Sequence, residues 1–290
     1  MAVNRVRAID NRAYEKERAR LAMVSRLLPI QEIAVAGSTG AKVLVTGPKD
    51  KLANAMPTTD DVDIIINLAA LKRYAESMGA VVGERNLVIS MSEKFVHAGV
   101  VTKVVQSPFT VSQLETGYEP LNKLFKNVDF FTNTIGAIPI TPEMIQQSER
   151  ITFGDMDVKV LSLGYLAATH LAPTNTTQAR TTRIIYPIIH QFSENTDKFE
   201  VEMKRLLTSL QRGEVEVAKV LKENPGFSNP DFQDYPERIR KIGISLNNLN
   251  NKIPAMSGRM GVPQSVGREA VGILSELLRT YPEARRELSA

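Results

Sequence analysis

Apolar positions along this chain follow two regimes. As far as about residue 172 they gather in short, β-branched runs separated by Gly, Pro and polar residues; beyond Pro173 they recur at helical spacing. The first regime predicts strands at Glu32–Ala36, Val62–Ile66, Leu87–Ser90, Gly99–Val105 and Val128–Phe131. A hairpin is expected from Ile151–Phe153 and Val158–Leu161, turned at Gly154–Asp155. Between them the pattern predicts a basic amphipathic helix over 3–28, whose thin apolar stripe includes Leu21, Val24 and Leu28. A short helix from about Thr39 is expected to break at Gly47–Pro48, with others at Leu68–Met78, near Glu119–Phe125 and, capped by Ser162, from Leu163 to Leu171. After the polar linker Pro173–Thr177 the text predicts helices at 178–193, 197–223, 234–251 and 263–280, with breaks at Pro225–Gly226 and Pro254–Gly261. The layout is an α/β (α+β) domain with a mixed sheet over 1–172, followed by an all-α helical domain over 173–290.

Composition narrows the chemistry. The 290 residues include no cysteine and three scattered histidines (His97, His170, His190). Disulfides, thiolate catalysis and cysteine-ligated zinc are therefore excluded, and a metal would be held by oxygen ligands, which favours Mg²⁺ or Mn²⁺. Net charge is +4 with a pI near 9.2, compatible with nucleotide or RNA contact, while the absence of Trp speaks against a stacking platform for single strands. No apolar run reaches eighteen residues and the charged N-terminus has no signal-peptide core, so a cytoplasmic protein without membrane contact is expected.

Three local features carry candidate chemistry. Asp61 and Asp63 alternate at the start of a strand, a spacing that puts two carboxylates on one face, where a divalent cation relieves their repulsion. Gly37–Ser38 follows a strand and precedes a helix; free backbone N–H groups and a hydroxyl there suit an anion. Asp129 stands inside the apolar run Val128–Phe131, which is costly for an acid without a partner or a metal.

In this order the elements resemble the DNA polymerase beta-like nucleotidyltransferase superfamily. The matching text is Ile33–Ser38, Asp61–Val62–Asp63–Ile64 and Val128–Asp129–Phe130. The strand, leucine–serine turn and helix over Gly154–Leu166 look like those that follow the third acid in bacterial and archaeal relatives, the abortive-infection toxin type among them. The resemblance covers about residues 30–172. It implies that Gly37 and Ser38 bind nucleotide, and that Asp61, Asp63 and Asp129 are catalytic and ligate two Mg²⁺ (or Mn²⁺) ions. It further implies that a nucleoside monophosphate passes from an NTP to an acceptor hydroxyl on RNA, protein or a small molecule, with pyrophosphate released. An antitoxin-like partner would accompany a toxin-type relative. Ser38 and Asp61 lie 23 positions apart, more than the family's usual spacing, as an insertion around Thr46–Pro57 would explain. The lysine the family places near the end of the helix after Ser162 is replaced by Ala168–Thr169–His170–Leu171, and Arg180 and Arg183 only loosely echo the basic residue beyond it.

Two other readings remain open from sequence. Ile33–Gly40, followed some twenty residues later by Asp60 or Asp61, also looks like the start of an NAD(P)-binding Rossmann fold, although Val43 stands where a further glycine is wanted. A decayed core that binds nucleotide or a partner protein without turnover is the non-enzymatic alternative. Lys49, Lys51, Lys123, Lys126 and the N-terminal arginines read as solvated faces, and the three histidines as structural.

Overall fold

The computed structural model describes residues 30–45, 62–67, 69–70, 88–90, 99–101, 111–113, 128–131, 134–153, 156–173, 178–194, 196–223, 225–227, 230–235, 253–260 and 263–288, with 18, 21, 22, 25, 73, 237 and 239. The expected helix over 119–125, most of the one over 234–251, Asp61, His97 and the 46–57 insertion lie outside them, as does most of the 3–28 helix; Arg18, Leu21, Ala22 and Ser25 are helical.

The chain forms two compact units. The first holds Met1–Val43, Thr58–Thr134 and Ile140–Leu161; the second holds Leu44–Pro57, Ile135–Pro139 and Ser162–Ala290. The architecture is α+β with a mixed sheet. Six strands make that sheet: β1 (Ile33–Val35), β2 (Val62–Ile66), β5 (Val111–Gln113), β6 (Val128–Phe131), β9 (Glu149–Phe153) and β10 (Met156–Val160), in the order β5–β6–β2–β1–β10–β9. β1 with β10 and β2 with β6 are parallel, and the remaining neighbours are antiparallel. The two central strands are the most apolar. Ile64, Ile65 and Ile66 are fully buried, as are Ala34 and Val35, so alternate residues are covered on both sheet faces. A separate pair, β3 (Val88–Ser90) and β4 (Gly99–Val101), is antiparallel, as the two expected runs required.

β1 and β2 are antiparallel neighbours (Ile33 opposite Ile66, Val35 opposite Ile64). A Rossmann fold needs a parallel βαβ crossover at this point, so the dinucleotide-binding expectation is corrected here. The helix between them, α1 (Gly37–Val45), begins two residues earlier than the Thr39 expected. Among the elements that escape the apolar pattern are β5 and the short helix α2 (Pro142–Gln146). The signal for α2 is nevertheless present. Thr141 accepts from the Met144 N–H and Pro142 occupies the first turn, where a missing N–H costs nothing. β7 (Thr134–Ile135) and β8 (Ile138–Pro139) pair as a minimal ribbon.

Helices dominate the second unit: α3 (Leu163–Leu171), α4 (Gln178–Glu194), α5 (Thr196–Glu223), α6 (Pro230–Gln233), α7 (Ile253–Met260) and α8 (Gln264–Leu288). The unit also takes in β8, so it is not wholly helical. Along α5, Phe199, Met203, Leu206, Leu210, Val217 and Val220 are buried at spacings of three, four and seven, the stripe of a core-facing helix. Gly213 leaves room for Tyr235, whose hydroxyl donates to the Leu210 carbonyl at 2.9 Å. α7 occupies the stretch expected to be a Pro/Gly break. Pro254 falls in its first turn, and Gly258 faces open space, so neither obstructs a helix.

The start of α3 differs from expectation in its chemistry. Ser162 is the N-cap residue, yet its side chain makes no capping bond and its buried hydroxyl has no hydrogen-bond partner among the described residues. A carboxylate from α5 replaces it: Glu202 Oε2 accepts from the Gly164 N–H at 2.6 Å, and Glu202 Oε1 binds Arg205. Arg205 in turn lies over the Tyr165 ring, 5.7 Å from its centroid. A Cβ at Gly164 would strike the Glu202 backbone, so glycine permits the close approach of the two helices.

Candidate functional site

The site is built where β1 gives way to α1. The Ala36 N–H donates to the Asp63 carbonyl at 2.8 Å, extending the β1–β2 ladder, while the Ala36 carbonyl accepts the first helical bond from Gly40, also at 2.8 Å. One residue thus closes the sheet and opens the helix, which fixes Gly37 between them. Gly37 has φ +58°, a left-handed conformation that favours glycine. A second constraint is steric. Any Cβ at position 37 would overlap the carboxyl group of Asp63, so the α-carbon of Gly37 is the surface on which that carboxyl rests.

Asp63 is the one half-exposed residue of β2, in a strand otherwise buried throughout. Its register partner on the parallel strand β6 is Asp129. Adjacent strands run about 4.8 Å apart, so positions 63 and 129 are neighbours on one face of the sheet. The N-terminal ends of β2 and β6 and the C-terminal ends of β1 and β10 lie at the same end of the sheet. Leu161 closes the row by donating to the Val35 carbonyl at 2.9 Å. The sequence-predicted Gly37, Ser38, Asp63 and position 129 are therefore brought together, and Asp61 lies outside the described residues.

From Ser38 to Leu44 the helix that follows is buried on every side. Ser38 and Thr39 are nearly enclosed, and so is Lys42, which the sequence reading passes over. The signal for Lys42 is its spacing, four residues after Ser38 and so on the same helical face. The other candidates lie elsewhere. Arg180 and Arg183 are in α4, Arg183 half-buried. His170 is buried in α3 and its Nδ1 donates to the Leu166 carbonyl at 2.8 Å; His190 stands 3.2 Å from Glu194 in α4. Those contacts fit the structural roles expected of both histidines. On the β9–β10 hairpin, Lys159 donates to the carbonyls of Gln31 (3.3 Å) and Ile145 (3.4 Å). Burial, and then the charge of its cross-strand neighbour Arg150, hold its pKa below the ordinary lysine value.

Chemically, the arrangement presents a carboxylate pair of positions at a sheet end, beside a glycine turn and the N-terminus of a nine-residue helix. Acidic oxygens suit a hard divalent cation, and helix N–H groups suit an anion. No helix among the described residues is long and apolar enough to cross a membrane. No family model, no curated protein and no solved structure matches this chain.

Proposed function

We propose that this chain is a metal-dependent nucleotidyltransferase that moves a nucleoside monophosphate from an NTP to an acceptor hydroxyl and releases pyrophosphate. The observation that carries the reading is the packing of the Asp63 carboxyl on the bare α-carbon of Gly37, with Asp129 in register on the next strand. A turn that merely reversed the chain would not need a carboxylate against it. Asp61, Asp63 and Asp129 would hold Mg²⁺ or Mn²⁺, and the fit rests on an all-oxygen donor set and on the space that glycine leaves beside Asp63. When bound, the ions supply charge neutralisation at the transferring phosphate.

The chain's own residues do the positioning. The Gly37–Ser38 turn and the N-terminus of α1 bind the phosphates, whose negative charge the positive end of the helix dipole favours. The fixed ladder through Ala36 holds that turn against the strand that carries Asp63. Much of the acceleration in phosphoryl-type transfer comes from such positioning and from electrostatics.

The test incubates the purified protein with each α-labelled NTP and Mg²⁺ or Mn²⁺, in the presence of cell RNA, protein extract or a small-molecule fraction. Label on one fraction supports the reading and identifies the acceptor class. Nucleotide binding without transfer to any fraction would make the chain a retired fold that binds nucleotide or a partner.

A further inference from the structure

We infer that Gln113 is the acceptor-binding residue of the site, standing beyond Asp129 on the side away from the Gly37 turn. The inference rests on the nucleotidyltransferase reading and adds the residue that meets the acceptor.

Strand register carries it. Gln113 of β5 stands opposite Asp129 of β6, and Asp129 stands opposite Asp63 of β2. Residues directly opposite one another share a face of the sheet, so positions 113, 129 and 63 form one row across three strands. Neighbouring positions in such a row are about 4.8 Å apart. Two residues along each strand, on the same face, the row is Val111, Phe131 and Ile65. All three strands therefore change from apolar to polar at the same level: Ile65 to Asp63, Phe131 to Asp129 and Val111 to Gln113. A strand that only covered the edge of β6 would not need to make that change in step with two acids. Ile65 is fully buried while Asp63 is half-exposed, so on β2 the change marks where the face opens.

Order along the row gives Gln113 its use. The bond from the Ala36 N–H to the Asp63 carbonyl sets the Gly37 turn beside one end of the row, and β5 is the outer strand at the other end. In transfer at phosphorus the attacking and leaving oxygens lie roughly in line, on opposite sides. The new oxygen–phosphorus bond forms as the bond to pyrophosphate breaks, and the hydroxyl proton leaves to water. With the phosphates at the turn, the acceptor arrives from the β5 end. The residue type fits that place. A further carboxylate would add to the repulsion between the acids, and a lysine or arginine would compete with a metal ion for them. A neutral amide does neither. Its carbonyl can accept an O–H from the acceptor, and its NH2 can donate to a second acceptor oxygen.

The experiment titrates the fraction that takes label from an α-labelled NTP (cell RNA, protein extract or small molecules) against the full chain at saturating NTP and Mg²⁺. Wild type is compared with Gln113→Leu, which keeps the side-chain size, and Gln113→Asn, which keeps the amide, with folding monitored by circular dichroism. NTP affinity is measured separately by calorimetry without acceptor. For Gln113→Leu the expected result is a rise of about tenfold in KM for the acceptor fraction, with the NTP Kd within about twofold of wild type. Gln113→Asn should recover part of the loss. An unchanged acceptor KM in folded Gln113→Leu, or an equal weakening of NTP and acceptor, would overturn the inference and leave the nucleotidyltransferase reading intact. If neither variant folds, Gln113 serves the sheet alone and the inference also falls. Absence of label transfer by wild type to every fraction would instead remove the reading on which the inference rests.

Discussion

Replacing Glu202 by alanine should be among the most damaging single changes in the second unit. The Glu202 side chain is 6% exposed and satisfies two groups at once, the N–H of Gly164 and the guanidinium of Arg205. Alanine leaves the buried N–H without an acceptor, which costs about 1–3 kcal/mol. It also strands a charge, and breaking a buried pair typically costs about 3–5 kcal/mol. Arg205 retains 23% side-chain exposure and the Tyr165 ring beneath it, so the lower part of that range applies, and we take about 3 kcal/mol for the whole change. For a unit of this size, that is a fall in Tm of about 6–12 °C. Glu202→Gln keeps a neutral acceptor for Gly164 and should lose about half as much. In the double variant Glu202→Ala/Arg205→Ala the stranded charge is gone, so the combined loss should fall short of the sum by about 1–3 kcal/mol. Scanning calorimetry and urea unfolding read five proteins: wild type, Glu202→Ala, Glu202→Gln, Arg205→Ala and the double variant. A loss below ~1 kcal/mol for Glu202→Ala, or strict additivity in the cycle, would refute the argument that this carboxylate caps α3.

Two further outcomes follow from the first unit. Gly37→Ala should destabilise the protein by about 1–3 kcal/mol through its left-handed φ. It should also push the Asp63 carboxyl aside, so nucleotide-dependent stabilisation in a thermal-shift assay should disappear; an alanine variant that still responds to Mg²⁺ and NTP would show that the contact is incidental. Arg150→Gln should move the Lys159 pKa back up by the part due to Arg150, leaving the larger part due to burial, as followed by NMR titration of Nζ. Because the folded pKa is depressed, Lys159 opposes folding while it is charged in both states. That penalty is relieved as pH rises from the folded pKa towards 10.5, and the relief should shrink in Arg150→Gln.

Much of the sheet was legible because its strands are local and strongly patterned. Val62–Ile66 is a β-branched run and folds with those bounds, and the 151–161 hairpin carries its own turn. Pairing was less legible. The antiparallel return of β2 onto β1 comes from long-range packing, and the eight residues Ile33–Gly40 resemble a nucleotidyltransferase start and, but for the glycine missing at Val43, a dinucleotide fold as well. β5 and α2 were missed because each is too short to establish a period, although Thr141–Pro142 was a usable cap signal. At the site, the residue types were readable but their contacts were not. Sequence could nominate Gly37 for a turn, yet the packing of Asp63 on it needs strands 26 residues apart. Ser162 shows the converse: the right residue stands at the cap, while the work is done by Glu202, forty positions away.

The most direct test of the account follows two labels in one reaction, with wild type and Asp63→Asn side by side. An NTP labelled at the α-phosphate and a second labelled at the γ-phosphate are incubated with protein, Mg²⁺ or Mn²⁺ and the acceptor fraction. Wild type should move the α-label to the acceptor and release the γ-label as pyrophosphate. Asp63→Asn should fall by about a thousandfold, the equivalent of ~4 kcal/mol in the barrier. Its Tm without metal should be unchanged or slightly raised, because on this reading Asp61, Asp63 and Asp129 repel one another when no cation is bound. Transfer of the γ-label, or undiminished α-label transfer by a folded Asp63→Asn, would contradict the account.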